Sequence, residues 1–169
     1  MNTPVIFVLD VPSAECTDFA SLARVVAARL EASGCVKPSW RDAVILREER
    51  FPTGLPLEPP AAIPHADGEH TLADAFVITR LAEPLAFGAM GDSDAGALQV
   101  RLAVFIVARD GMAQVEALER LLSILGDGAR RERLEVGSAE HACRSFETML
   151  EQLAALTTTP DNPPHPRTP

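Results

Sequence analysis

The apolar positions of this chain change their period several times, and each change marks an element. Val5–Leu9 is a short β-branched and aromatic run stopped by Asp10-Val11-Pro12, which reads as a strand. From Phe19 to Ser33 the spacing becomes helical, with Phe19, Leu22, Val25, Val26, Ala28, Arg29 and Leu30 mostly on one face; Asp18 opens the segment and Ser33-Gly34 closes it. Ser39 is placed to cap a second helix, Trp40–Glu49, with Trp40, Val44 and Leu46 or Arg47 along one side. Phe51–Pro64 then breaks every regular pattern, because its prolines lack backbone donors and push each preceding residue towards extended conformation.

Asp74–Leu81 returns to a period of two, Phe76, Ile78 and Arg80 against Val77, Thr79 and Leu81. Leu98–Ala108 is nearly all apolar, which suits a strand buried on both faces. Asp110-Gly111 leads into an amphipathic helix, Met112–Leu125, with Val115, Leu118, Leu121, Leu122 and Leu125 as its apolar stripe and Gly126-Asp127-Gly128 as its end. Helices over Ala129–Val136 and Ser138–Leu156 follow, the second with Ala142, Phe146, Met149, Leu150 and Leu153 facing inward. The alternation of strands and helices allows a single α/β domain over residues 1–156. Residues 157–169 form a proline-rich tail that cannot build a core and is expected to be disordered.

Composition narrows the function classes. Fifteen Lys+Arg against 24 Asp+Glu give a net charge of −9, which argues against nucleic acid and against anionic membrane surfaces as partners. No stretch reaches the ~18–20 continuous apolar residues that span a bilayer. Cys16, Cys35 and Cys143 are scattered without a CxxC spacing, as suits a reducing compartment, so the protein is expected to be cytoplasmic and soluble. Of 14 prolines, five fall in Pro52–Pro64 and five in Pro160–Pro169. The second cluster belongs to the tail; the first calls for an explanation.

Four histidines can carry chemistry. His165 lies in the tail and His141 on a helix between charged residues, where a solvated side chain is the simpler reading. His65, Asp67 and His70 are ligand types at short spacing, so a metal-dependent hydrolase built on them is one reading, although nothing in the loop supplies a fixed scaffold. His65 is set apart by Ala61-Ala62-Ile63-Pro64 before it, an apolar run pinned by proline; the simpler alternative is a loop histidine that bonds a neighbouring carbonyl.

The segment Arg47-Glu48-x-x-Phe51-Pro52-Thr53-Gly54-Leu55, followed by Ile63-Pro64-His65, resembles the active-site signature of the fructose–mannitol type enzyme IIA domains of the bacterial sugar phosphotransferase system. The resemblance continues through Arg80-Leu81-x-x-Pro84-Leu85-x-Phe87, Met90-Gly91-x-x-Asp94, the strand Val100–Ala108 and Gln114-Val115-x-x-Leu118, covering about residues 15–155. Phe51-Pro52-Thr53-Gly54-Leu55 with Phe87-x-x-Met90-Gly91 looks most like the galactitol-type branch. The resemblance implies that His65 takes a phosphoryl group from the histidine phosphocarrier HPr and passes it to an enzyme IIB, with sugar phosphorylated during uptake. It implies an α/β fold with a mixed sheet flanked by helices, and no cofactor and no metal ion within the domain. Arg47 is then the cation for the phosphoryl oxygens, Glu48 either orients Arg47 or is an ordinary helix-end carboxylate, and Thr53 either bonds the phosphoryl group or shapes its turn. Many family members carry a second histidine where this chain has Gln114, an amide that can donate a hydrogen bond but cannot become cationic. A regulatory module that signals its phosphorylation state is the alternative within the same family.

Overall fold

The computed structural model describes residues 4–92 and 94–157. A five-stranded sheet runs through the centre, with strands β1 (Val5–Val11), β2 (Gly54–Leu55), β3 (Ala61–Ala62), β4 (Ala75–Phe87) and β5 (Leu98–Val107) in the spatial order β1-β4-β5-β3-β2. The sheet is mixed: β1 runs parallel to β4 and β3 parallel to β5, while β4–β5 and β2–β3 are antiparallel. Among the described residues five α-helices flank it: α1 (Phe19–Ala32), α2 (Trp40–Arg50), α3 (Gly111–Leu125), α4 (Gly128–Glu135) and α5 (Ala139–Thr157). The expected tail, His165 included, lies outside the described residues apart from Thr157, which ends α5.

The period of two in the central strands divides the core into two layers. On β4, Ala75, Val77 and Leu81 face one layer and Phe76 and Ile78 the other; on β5, Ala103, Phe105 and Val107 oppose Leu102, Val104 and Ile106. The first layer takes Leu22, Val26 and Leu30 from α1 and Trp40 and Val44 from α2, with Trp40 and Phe105 6.1 Å apart by ring centroid. The second takes Leu121 and Ile124 from α3, Leu134 from α4, and Phe146 and Met149 from α5, with Phe146 edge-on to Phe76.

Local chemistry explains most of the element ends. Asp18 and Ser21 form a reciprocal capping box at the start of α1, and Gly34 closes it with φ +69°, a left-handed turn that glycine adopts without steric cost. Ser39 does not cap α2 with its side chain as expected: its backbone is helical, and its hydroxyl pairs with His70 Nδ1 at 2.9 Å instead. β4 outruns its predicted end at Leu81 by six residues because β5 continues to pair beyond a register break between Arg80 and Leu85, and Pro84 sits inside that break, where no ladder donor is needed. The apolar stripe of α3 is rotated from its predicted position, so that Ala117 and Ile124 are buried while Val115 and Leu122 are exposed.

The largest departure lies in Phe51–Pro64, which does contain regular structure. β3 pairs Ala61 with Leu102 and Ala62 with Ala103 on the central strand β5, and β2 folds back along β3. Propensity gives no sign of strands two residues long; tertiary pairing creates them. Arg131 of α4, almost fully buried, reaches across to donate to the Pro59 and Pro60 carbonyls and to Glu135, so the proline segment is held from its other end as well.

Gly54 is fitted closely into this arrangement. Its amide donates to the Gly88 carbonyl at 3.0 Å and its carbonyl accepts from Met90 N at 2.7 Å, while an added Cβ would lie 2.5 Å from the Gly88 oxygen. Gly54→Ala is therefore expected to lose about 1–3 kcal/mol of unfolding free energy through overpacking. Gly96→Ala, whose Cβ would meet nothing within 4 Å, serves as the control in the same denaturant titration; equal stability of the two variants would refute the constraint.

Candidate active site

His65 leaves the end of β3 and remains tied to β5. Ile106 N donates to the Pro64 carbonyl at 3.0 Å, and Ile63 N donates to the Thr53 carbonyl at 3.2 Å, so both flanks of the histidine are held by backbone bonds. The side chain is 6% exposed. Its Nδ1 lies 2.9 Å from the Ile63 carbonyl oxygen, which can only accept, so Nδ1 carries the proton. Its Nε2 lies 3.5 Å from Arg47 Nη2, which can only donate, so Nε2 presents a lone pair. Both contacts select the same neutral tautomer.

Arg47 comes from the last turn of α2. Its guanidinium carbon stands 4.4 Å from the centroid of the Phe51 ring, and its Nη1 is buried without a hydrogen-bond partner. Two other buried side-chain polar atoms among the described residues lack partners, Trp40 Nε1 and Thr71 Oγ1, and neither residue lines the cleft around His65. That open cleft is walled by Arg47, Arg50, Phe51, Thr53, Met90 and Leu118, among others. Its one carboxylate, Asp92, already accepts from Asp94 N and Ala95 N at 3.1 Å each. The cleft is thus cationic in a protein of net charge −9.

Glu48 and Thr53 meet each other and not the histidine. Glu48 accepts from Thr53 N at 3.0 Å and from Thr53 Oγ1 at 2.6 Å, so the Thr53 hydroxyl proton is committed to the carboxylate. Of the two readings for each residue, the geometry favours the structural one: Glu48 clamps the Pro-Thr-Gly turn to the end of α2, and it forms no ion pair with Arg47. Gln114 makes no side-chain hydrogen bond among the described residues and does not line the cleft, although Leu118, one turn further along α3, does.

His65, Asp67 and His70 do not converge. His70 lines a second cleft with Asp67, and its two ring nitrogens face Ser39 Oγ at 2.9 Å and Glu69 at 3.3 Å. Among the described residues no group of three His, Cys, Asp or Glu side chains is placed to hold a metal ion. The hydrolase reading fails on this geometry, because the spacing in sequence is not a spacing in space. His141 is exposed on α5, as expected. Sequence reasoning missed Arg131, whose role needs the fold to be seen, and Arg50, which adjoins recognised motif positions; Met90, quoted as a motif residue without a role, lines the cleft.

Burial is the main force on the titrating groups. Desolvation pushes the His65 imidazole below its ordinary value of about 6.5 and the Arg47 charge pushes the same way, against the Ile63 hydrogen bond and Asp67. Desolvation likewise raises the Glu48 carboxyl, despite two hydrogen bonds from Thr53 and the nearby Arg47 charge. The resulting stability slopes oppose each other. The lowered His65 value contributes stability that is present above about pH 6.5 and is lost as pH falls through the folded-state value. The raised Glu48 value favours the folded state at acid pH, and that contribution fades as pH rises through its folded-state value. Residue-resolved NMR separates the two, and the His65 midpoint is expected below 6.5, moving up in Arg47→Ala. A wild-type midpoint at or above 6.5 would contradict the neutral-tautomer geometry.

Residues 9–149 match the family model for the phosphoenolpyruvate-dependent sugar phosphotransferase system, EIIA 2. The galactitol-specific EIIA component of Escherichia coli K12 is 33% identical over 95 residues, 56% of this chain and 62% of that protein, so the chain matches rather less than two thirds of that relative's length. The crystal structure of the mannitol IIA of Escherichia coli superposes with a TM-score of 0.64 at 26% identity, covering 83% of this chain and 94% of that one. A complex of the mannitol enzyme IIA with phosphorylated enzyme IIB from the same organism has the same fold, at 22% identity and TM-score 0.64 over 90% of this chain and 97% of the other. Among the described residues no helix is long and apolar enough to cross a membrane. A match that runs from β1 into α5 places this chain in the EIIA type-2 family of the sugar phosphotransferase system, near its galactitol branch.

Proposed function

We propose that the protein is a phosphoryl carrier in which His65 accepts a phosphoryl group from phosphorylated HPr and delivers it to an enzyme IIB for sugar uptake and phosphorylation. The observation that carries this reading is the pair of groups at the cleft: a buried imidazole with its Nε2 lone pair presented, and beside it an arginine with a buried N–H lacking a hydrogen-bond partner. A buried unsatisfied donor is costly, and a phosphoryl oxygen is the kind of acceptor that would satisfy it. Galactitol- and mannitol-specific relatives and the enzyme IIA–IIB complex support the place of the chain in such a relay. The carrier domain is taken as residues 1–156, working in the cytoplasm, where HPr would be met.

The chemistry balances with the groups present. The Nε2 lone pair attacks phosphorus, the P–N bond of the donor breaks, and the donor nitrogen leaves with the bonding electrons as a neutral imidazole when its other ring nitrogen is protonated. His65 keeps its Nδ1 proton on the Ile63 carbonyl, so its ring becomes cationic against the phosphoryl negative charge. That charged ring is a good leaving group, which keeps the phosphoryl mobile for the next transfer. Arg47 supplies fixed positive charge to the phosphoryl oxygens, in the manner by which phosphoryl-transfer sites work: positioning and electrostatics. Glu48 and Thr53 hold the turn beside them, and Gln114, which does not line the cleft, would act there only as a neutral amide donor.

Incubation with phosphoenolpyruvate, enzyme I and HPr is expected to add one phosphoryl group, alkali-stable and acid-labile, that mass spectrometry finds on His65 and that His65→Ala lacks. Arg47→Gln is expected to slow acceptance by about 10- to 100-fold, the scale of one lost charge-assisted contact to a developing charge. Wild type that acquires no label, or His65→Ala that labels equally, would refute the assignment.

A further inference from the structure

We propose that Phe51 is a positioning residue, its ring stacked against the Arg47 guanidinium so that this group stays on the His65 side of the wall between two clefts. The inference rests on the carrier reading of His65. Phe51 is 61% exposed, an unusual setting for a large aromatic ring that is not in the core. It is nevertheless fixed: it follows the last residue of α2, and its amide donates to the Arg47 carbonyl at 2.9 Å. The same residue pair thus meets twice, through the backbone and through the ring at 4.4 Å.

Arg47, Arg50 and Phe51 line both clefts, so together they form the partition between them. On one side stands His65 Nε2, 3.5 Å from Arg47 Nη2. On the other stand three carboxylates. Asp42 is held by Arg41, and Glu69 pairs with His70, but Asp67 has neither a side-chain hydrogen bond nor an ion pair among the described residues. An arginine on a flexible stem between a neutral imidazole and an unpaired carboxylate would be drawn to the carboxylate by Coulomb attraction. The π-face of Phe51 opposes that swing, because a cation–π contact is lost when the guanidinium leaves the ring. The planar group can keep the stack while its N–H edge points to the imidazole, which an ammonium cannot do as well.

The test separates stacking from bulk and from docking. Phe51→Leu keeps an apolar side chain without the quadrupole, and Phe51→Trp keeps the stack. In single-turnover transfer from phosphorylated HPr, the maximal rate is expected to fall about fivefold in Phe51→Leu, the scale of a partly exposed cation–π contact, and to stay near wild type in Phe51→Trp. Adding Asp67→Asn to Phe51→Leu is expected to restore most of the rate, since the competing carboxylate is gone. The His65 NMR midpoint should rise in Phe51→Leu as the Arg47 charge moves off. A maximal rate and a midpoint both unchanged in Phe51→Leu would overturn the proposal. So would a change confined to the HPr concentration giving half-maximal rate, which would make Phe51 a docking contact only. Should wild type acquire no phosphoryl group, the carrier reading falls, and the His65 midpoint in Phe51→Leu still decides whether the ring holds Arg47.

Discussion

The site hangs on the parallel pairing of β3 with β5. Two alanines side by side, each too small to bury much area, are held against the central strand of the sheet, and the register Ala61–Leu102, Ala62–Ala103 is continued by a bridge from His65 to Ile106. A strand of two residues has no stability of its own. It persists because it is gripped from every side: by β5, by the Thr53 carbonyl that takes the Ile63 amide, and by the buried Arg131 guanidinium on the Pro59 and Pro60 carbonyls. Prolines suit such a segment, since each removes a donor that would otherwise need a partner and reduces the entropy lost on ordering.

Holding the histidine in the sheet also sets its charge. A residue at the end of a buried strand is desolvated, and desolvation dominates the lowered imidazole value. Burial alone would leave an imidazole neutral but free to choose its tautomer. The Ile63 carbonyl removes that freedom, because a peptide oxygen two residues back can only accept a hydrogen bond and so holds the proton on Nδ1. Arginine then completes the arrangement from α2. The same low-dielectric surroundings that make the neutral ring favourable make the buried Arg47 N–H expensive without an acceptor.

How much of this the sequence discloses depends on whether the signal is local. The helices and the two long strands follow from periodicity and caps: the Asp18 capping box, the Gly34 turn and the double-faced apolar run of β5 are all written within a few residues. The ligand spacing of His65, Asp67 and His70 is equally local, and misleading, because a chain leaving a strand end carries neighbouring residues into different clefts. What stays hidden is tertiary. β2 and β3 exist by pairing alone, β4 extends past Leu81 only because β5 is beside it, and Arg131 is one more charged residue on a polar helix until Pro59 and Pro60 are placed against it. The motif Arg47-Glu48…Thr53-Gly54…Pro64-His65 names residues that the fold brings close together and leaves two roles open, because sequence shows that Glu48 and Thr53 are near one another in the chain but not that their donors and acceptors are spent on each other.

Gln114 shows how the site can do without a second titrating group. It stands one turn before Leu118 on α3, outside the cleft, and as an amide it has no charge to exchange. The groups hydrogen-bonded to the His65 ring are a guanidinium and a peptide carbonyl. The Glu48 carboxyl, whose value burial raises, is occupied by Thr53. On the carrier reading, then, one imidazole governs the acid limb of transfer, and burial has moved that imidazole to the side of neutrality. A second histidine would add a charge that varies with pH; the charge beside His65 is instead a guanidinium held against an aromatic ring.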